Sequence, residues 1–250
     1  MGRRPSFLLP DNPLMEITSF GDTCLRLRGK EGVVVADPFP RIVGPTGRGL
    51  TADIITYSHP DGQPTLGLDA PAATKRLDGA SGRGASSKNG MRIPTSLESA
   101  FLLDSPGEYD VHEVLITGVR TFRDERQGEE RGFNTCFVYE LDNVHVVHLG
   151  DVGHLLTEAD LGDIGTVEVV CVPVGGSLPA AKAAELVAQL DATLVVPMPL
   201  DGDNAGKPEL ERFLHEMSVQ QAEPVAKLSV TVSSLPGETT VVLLEPRGRT

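Results

Sequence analysis

Val144-His145-Val146-Val147-His148-Leu149-Gly150-Asp151 is an apolar run that ends in a polar turn. Its β-branched residues predict a strand over 144–149, and Gly150-Asp151-Val152-Gly153 predicts a turn that leaves a carboxylate at the strand's end. The pattern continues toward the C-terminus. Residues 168–174 are nearly all apolar, as in a strand buried on both faces, and Gly175-Gly176-Ser177 follows. Pro179 opens a helix whose Ala183, Leu186, Val187 and Leu190 share one face. A strand over 193–197 comes next. Pro208 opens a second helix, with Leu210, Phe213 and Leu214 on one side, and strands over 228–232 and 240–244 close the chain.

Toward the N-terminus, short β-rich segments at 15–20, 24–28 and 33–36 read as a meander. Further strands are expected at 53–58, 100–103, 111–119 and 135–141. Each half of the chain therefore has several strands and then helices, which predicts two packed sheets with helices outside. Residues 1–13 read as a flexible tail and 14–250 as a single domain. The Gly/Ser-rich stretch 79–90 reads as a mobile loop within it, because it cannot bury enough apolar surface to order itself. Residues 123–131 form a charged insertion, expected to be exposed.

Composition narrows the function classes. The 250 residues are 40% hydrophobic and 23% charged, as in a soluble globular chain, and without Trp the core must be mostly aliphatic. A net charge of -13 repels phosphate backbones and anionic lipid, so neither nucleic acid nor a membrane surface is an expected partner. Cys24, Cys136 and Cys171 lie far apart in apolar runs with no CxxC, which reads as reduced buried thiols in a cytoplasmic protein.

The residues able to carry chemistry sit in loops that follow strands. They are Asp37-Pro38, Ser58-His59-Pro60-Asp61-Gly62-Gln63-Pro64, Pro106-Gly107-Glu108-Tyr109, His148-Leu149-Gly150-Asp151 and Pro197-Met198-Pro199. A zinc hydrolase needs several His and Asp side chains converging from such loops, with one coordination position open for water.

In order and spacing these motifs, with Gly132-Phe133-Asn134-Thr135 and Pro173-Val174-Gly175-Gly176, resemble the metallo-β-lactamase superfamily. The branch resembled is the one that holds L-ascorbate-6-phosphate lactonase and other zinc-dependent hydrolases of this fold. The resemblance spans residues 14 to 246 and implies a mixed α/β fold, a four-layer αββα sandwich with its site at one edge between the sheets.

The departures bear on activity. Against the family's His-x-His-x-Asp-His, this chain keeps His59 but has Asp61, Gln63 and Pro64 at the other three positions. Arg123 stands where the family has a loop His, Pro199 stands at the final His, and Asp151 matches the bridging carboxylate. Pro and Arg do not bind zinc. The expectation is a degenerate metal site with no cofactor, and with little or no metal-dependent hydrolysis. Asp151, Asp61 and Arg123 would line its cleft. Arg123 is expected to fill the vacated position and pair with Asp151 or Asp61, because an unpaired buried carboxylate is costly. A small anionic ligand could then meet Arg123.

The alternative is a mononuclear hydrolase of a lactone or phosphoester, with one zinc or other divalent ion on His59, Asp61 and Asp151. A structural, oligomeric or ligand-binding scaffold is the remaining reading. Asp37, His148 and His154 are expected behind the cleft: Asp37 to accept N–H bonds from the loop carrying His59, the two histidines as supports. Asp61 also reads as ordinary turn chemistry in Pro60-Asp61-Gly62. Ser177 reads as a helix cap, with anion binding at that helix N-terminus as the other possibility. The sequence names no substrate.

Overall fold

The computed structural model describes residues 14–60, 92–200 and 206–247. The expected tail (1–13), the Gly/Ser loop (79–90), and Asp61, Gln63 and Pro64 lie outside them.

The chain begins with strands β1 (Met15–Gly21), β2 (Cys24–Arg28) and β3 (Val33–Ala36), a one-turn helix α1 (Pro40–Val43) and strand β4 (Ile54–Thr56). Strands β5 (Phe101–Leu103), β6 (Gly107–Val111), β7 (Val114–Phe122), β8 (Phe133–Leu141) and β9 (Val144–His148) follow. Then come helix α2 (Glu158–Ile164), strand β10 (Val169–Val174), helix α3 (Ala180–Leu190) and strand β11 (Leu194–Pro199). Helix α4 (Gly206–Glu216) and strands β12 (Leu228–Val230) and β13 (Thr240–Val241) complete the described chain.

Among the described residues the strands form two sheets, ordered β12-β1-β2-β3-β4-β5 and β13-β11-β10-β9-β8-β7-β6. Their facing sides share one core. Met15, Ile17, Leu25, Leu27, Val34 and Ile54 of the first sheet meet Ile116, Phe137, Tyr139, Val146, Val169 and Val196 of the second. A buried hydrogen bond of 2.7 Å between Thr56 Oγ1 and Tyr139 Oη ties the sheets together, and burial raises the Tyr139 phenol well above its ordinary value. On the outer face of the second sheet, α2, α3 and α4 cover Val147, Val170, Val172 and Val195. On the outer face of the first, Phe39, Val43, Leu50 and Leu97 cover Val35 and Ile55. The layers are therefore helix, sheet, sheet, helix, the αββα order expected.

Strand β10 runs parallel to both β9 and β11, and all six of its residues are buried. That explains its unbroken apolar sequence. One expected strand is two: 111–119 is interrupted by a tight turn at His112 and Glu113, both with positive φ, which pairs β6 to β7 as a hairpin. Helix α2 was not anticipated. It is held at its start by a capping box, with Thr157 accepting from the Asp160 amide and Asp160 accepting from the Thr157 amide. Ser177 caps nothing: Pro179 is the residue before α3, and the Ala180 amide donates to the Glu209 carboxylate at 3.1 Å. An acidic side chain of the chain itself thus occupies that helix N-terminus.

Candidate functional site

The site is built where β4, β7 and β9 end. The β4 end delivers Ser58 and His59, and Asp37 after β3 fixes them. Asp37 Oδ1 accepts from the Ser58 amide at 2.7 Å, and Oδ2 accepts from Ser58 Oγ at 2.6 Å. Ser58 Oγ lies 2.7 Å from His59 Nδ1. A carboxylate only accepts, so the single serine proton goes to Asp37 and Ser58 Oγ must accept from His59 Nδ1–H. This fixes the neutral imidazole tautomer and leaves Nε2 with the lone pair. Burial first, then Arg123 and Arg41, hold His59 below its ordinary 6.5 against the opposite pull of Asp37 and Asp151. Asp37 is fully buried.

Asp151 arrives on the turn after β9. Asn134, early in β8, positions that turn: its Oδ1 accepts from the Asp151 amide at 3.0 Å, and its Nδ2 donates to the Leu149 carbonyl at 2.9 Å and to Thr121 Oγ1 at 2.8 Å. Gly150 sits at φ 62 and passes so close to Ser58 and Asn134 that a β-carbon there would lie 2.5 Å from both side chains. The glycine lets the two loops meet.

Arg123 follows β7. Its Nε donates to Asp151 Oδ2 at 2.8 Å and its Nη2 stands 2.7 Å from the same oxygen as an ion pair, in a setting where both side chains are less than a tenth exposed. Arg131 Nη2 stands 3.9 Å from the same oxygen, too far for a hydrogen bond. Asp151 Oδ1 is buried with no hydrogen-bond partner among the described residues.

The 123–131 insertion is not simply exposed, as its charge suggested. Arg123 and Asp124 are buried, and the loop winds around the Asp124 carboxylate. That group accepts from the amides of Arg126, Gly128, Glu130 and Arg131 at 2.8, 2.9, 3.2 and 2.6 Å. Burial alone would raise the Asp124 acid above its ordinary 3.8, but these four bonds outweigh it and hold the group lower. A depressed carboxylate stabilises the fold fully above its unfolded value, and that stability is lost as pH falls through the folded one. The loop is therefore expected to loosen only in strong acid. Asp124→Ala should lower stability by about 2–3 kcal/mol near neutral pH, and the difference from the parent should shrink below pH 3.8 in acid unfolding monitored by circular dichroism.

The remaining expectations divide. His148 is buried in β9 and donates from Nε2 to the Thr23 carbonyl at 2.7 Å, which joins the second sheet to the β1–β2 turn. His154 does not line the cleft. Its Nε2 accepts from the Phe122 amide at 3.1 Å and its Nδ1 donates to the Leu155 carbonyl at 2.7 Å, so it braces the end of β7. His59, Arg123 and Asp151 do line one cleft of about 180 Å³, together with Asp22, Thr23, Arg41, Arg131, Gly176 and Leu200. Sequence reasoning assigned no cleft role to these last six or to Asn134. The Gly132-Phe133-Asn134-Thr135 motif was visible, but only the register of β8 shows what Asn134 does.

A family model for the β-lactamase superfamily domain matches residues 16–199. The chain belongs to the metallo-β-lactamase superfamily. A metal-dependent hydrolase of Methanoculleus marisnigri is 27% identical over 94% of this chain and 100% of its own length. A crystal structure from Thermotoga maritima, of a protein assigned to the Zn-dependent hydrolases of the superfamily, is 28% identical. It covers 92% of this chain and 98% of its own with a TM-score of 0.65. A metallo-β-lactamase fold protein of Bacillus subtilis is 7% identical with a TM-score of 0.55, over 87% of this chain and 100% of its own, and shares the fold alone.

The superfamily implies a metal, but the described residues do not make up its donor set. No group of three or more His, Cys, Asp or Glu side chains among them converges to hold an ion. Only His59 and Asp151 of the three ligands expected are described, and a buried guanidinium already holds Asp151 Oδ2. A fixed cation at that oxygen opposes a second, divalent one.

Proposed function

We propose that this superfamily member has exchanged metal charge for arginine charge, and that its cleft binds a small anionic ligand without metal-dependent hydrolysis. The observation that carries this reading is the buried ion pair of Arg123 with Asp151 Oδ2, with its Nε hydrogen bond, at the cleft and away from solvent. Such a pair neutralises the carboxylate that a metal would otherwise need to neutralise. Charge supports the ligand class. His59 is held neutral, Arg123 offsets Asp151, Arg41 is paired with Asp22, and Arg131 adds a further positive charge. The side chains that line the cleft thus include more arginines than aspartates, in a chain of net charge -13. That overall charge also disfavours nucleic acid and anionic membranes as partners.

Among the described residues no helix is long and apolar enough to cross a membrane. The three cysteines are free and buried; burial pushes the Cys136 thiol up to about 12 and raises Cys24 and Cys171 as well. Such inert thiols fit a reducing compartment, and we place the chain in the cytoplasm.

Protein expressed with zinc, manganese and iron in the medium, purified and analysed by mass spectrometry, is expected to carry no stoichiometric metal. About one ion per chain, lost in Asp151→Ala, would overturn this reading. It would favour instead a mononuclear hydrolase of a lactone or phosphoester on His59, Asp61 and Asp151. What favours that second reading is the metal dependence in the names of the relatives.

A further inference from the structure

The anionic-ligand reading leaves one atom of the cleft without a task. Asp151 Oδ1 is buried and has no hydrogen-bond partner among the described residues, although Oδ2 of the same carboxylate accepts from Arg123 Nε and pairs with its Nη2. A buried carboxylate oxygen is costly to leave unmatched. Gly176, which also lines the cleft, lies beside it: a β-carbon there would stand 3.7 Å from Oδ1. A few ångströms away, Arg131 is 44% exposed at the side chain and stands 3.9 Å from Asp151 Oδ2, beyond hydrogen-bond distance. The cleft thus combines an anion's counter-charge with a fixed acceptor that cannot donate.

We propose that the cleft selects an oxyanion that carries its own hydrogen-bond donor: the anionic oxygens lie against Arg131 and Arg123, and an O–H of the ligand donates to Asp151 Oδ1. This rests on the anion-binding reading above and narrows it. A fully deprotonated oxyanion brings its negative charge against Oδ1 with no hydrogen between them, and it is repelled. A hydroxyl-bearing anion satisfies the atom instead. Sites built around one buried acceptor discriminate by whether the ligand can donate to it. The shared chemistry is met by an acid phosphate group and by a small hydroxycarboxylate. The cleft, about 180 Å³, is of a size for either.

The test compares anions matched in size and charge that differ in the donor. Calorimetric titration at mildly alkaline pH pairs inorganic phosphate, there largely the hydrogen phosphate dianion with one O–H, with the sulfate dianion, and pairs glycolate with acetate. In the native chain at least one donor-bearing anion should bind about tenfold or more tighter than its partner, the worth of one charge-assisted hydrogen bond. A preference in the phosphate pair alone assigns the phosphate group, one in the glycolate pair alone the hydroxyacid, and one in both the shared O–H. Arg131→Gln, at an exposed position, should weaken each member of a pair alike and leave the ratio intact. Asp151→Asn should collapse the ratio toward one, because its amide can donate to either anion. If Asp151→Asn does not fold, the native ratios together with Arg131→Gln still decide the matter. Equal affinity within both pairs overturns the proposal while leaving anion binding in place. Failure of all four anions to bind removes the anion-binding reading itself.

Discussion

Arg123→Met is expected to lower the unfolding free energy by about 3–5 kcal/mol, the cost of breaking a buried ion pair from one side. Arg123 and Asp151 are 8% and 4% exposed. Methionine keeps much of the side-chain length and apolar stem but gives Asp151 no hydrogen. Asp151 Oδ2 would lose its Nε hydrogen bond and its ion-pair partner, and Oδ1 has no donor among the described residues. Arg131, 3.9 Å from Oδ2, offers partial compensation only if it moves inward. Arg123→Lys should fall between parent and Met, since an ammonium keeps the charge but cannot reproduce the guanidinium fork. The double change Arg123→Met with Asp151→Leu should recover most of the loss, because it removes the stranded charge as well as its partner. Urea unfolding of the four proteins measures all of this. A loss below about 1 kcal/mol in Arg123→Met would show that the pair behaves as a surface contact, and the arginine-for-metal exchange would lose its physical basis.

The second large effect is expected at Asp37. Asp37→Ala should cost about 3–4 kcal/mol, from unmatched buried donors and from backbone strain together. The carboxylate is 0% exposed and takes both the Ser58 amide and the Ser58 hydroxyl. Its φ of 48 lies in the left-handed region, where aspartate and asparagine are tolerated better than alanine. Asp37→Asn should therefore lose roughly half as much by the same reasoning. The consequence reaches the cleft. Without Asp37 the Ser58 proton has no fixed acceptor, so Ser58 Oγ is free to donate to His59 Nδ1 and the imidazole tautomer is no longer imposed. Thermal unfolding reads the stability, and the nitrogen shifts of His59 in magnetic resonance read the tautomer. An unchanged tautomer in Asp37→Ala would show that something other than the Asp37–Ser58 pair sets it.

Much of the scaffold was legible because burial writes itself into sequence. The nearly all-apolar 168–174 read as an interior strand, and β10 occupies nearly that span with parallel neighbours on both sides. The strands β2 and β3 fell where Gly29–Gly32 and Gly21-Asp22 bounded them. The hairpin between β6 and β7 was hidden because its turn residues, His112 and Glu113, are neither glycine nor proline and β-rich sequence flanks them. Helix α2 was hidden because seven residues give too short a periodic signal, although the Thr157–Asp160 spacing was there to read.

At the cleft, His59, Arg123 and Asp151 could be named because they occupy motif positions at strand ends. Thr23, Arg131, Gly176 and Leu200 could not. Their arrival depends on how loops close: Arg131 on the Asp124 carboxylate, Thr23 on its carbonyl's bond to His148. Such closure uses few residues far apart in the chain, and no periodicity betrays it.

The loop around Asp124 has a length that the chain cannot readily change. Most surface loops absorb insertions at small entropic cost, since closing a slightly longer loop is little harder than closing a short one. Here the count of residues determines which amides reach the carboxylate, and the bonds from Arg126, Gly128, Glu130 and Arg131 leave little room for an extra one. A residue inserted between 125 and 130 would shift that spacing and swing Arg131 away from its neighbour Arg123. The segment that looks most like dispensable surface decoration in the sequence is thus a ruler, measuring the interval at which two cations are set beside one carboxylate.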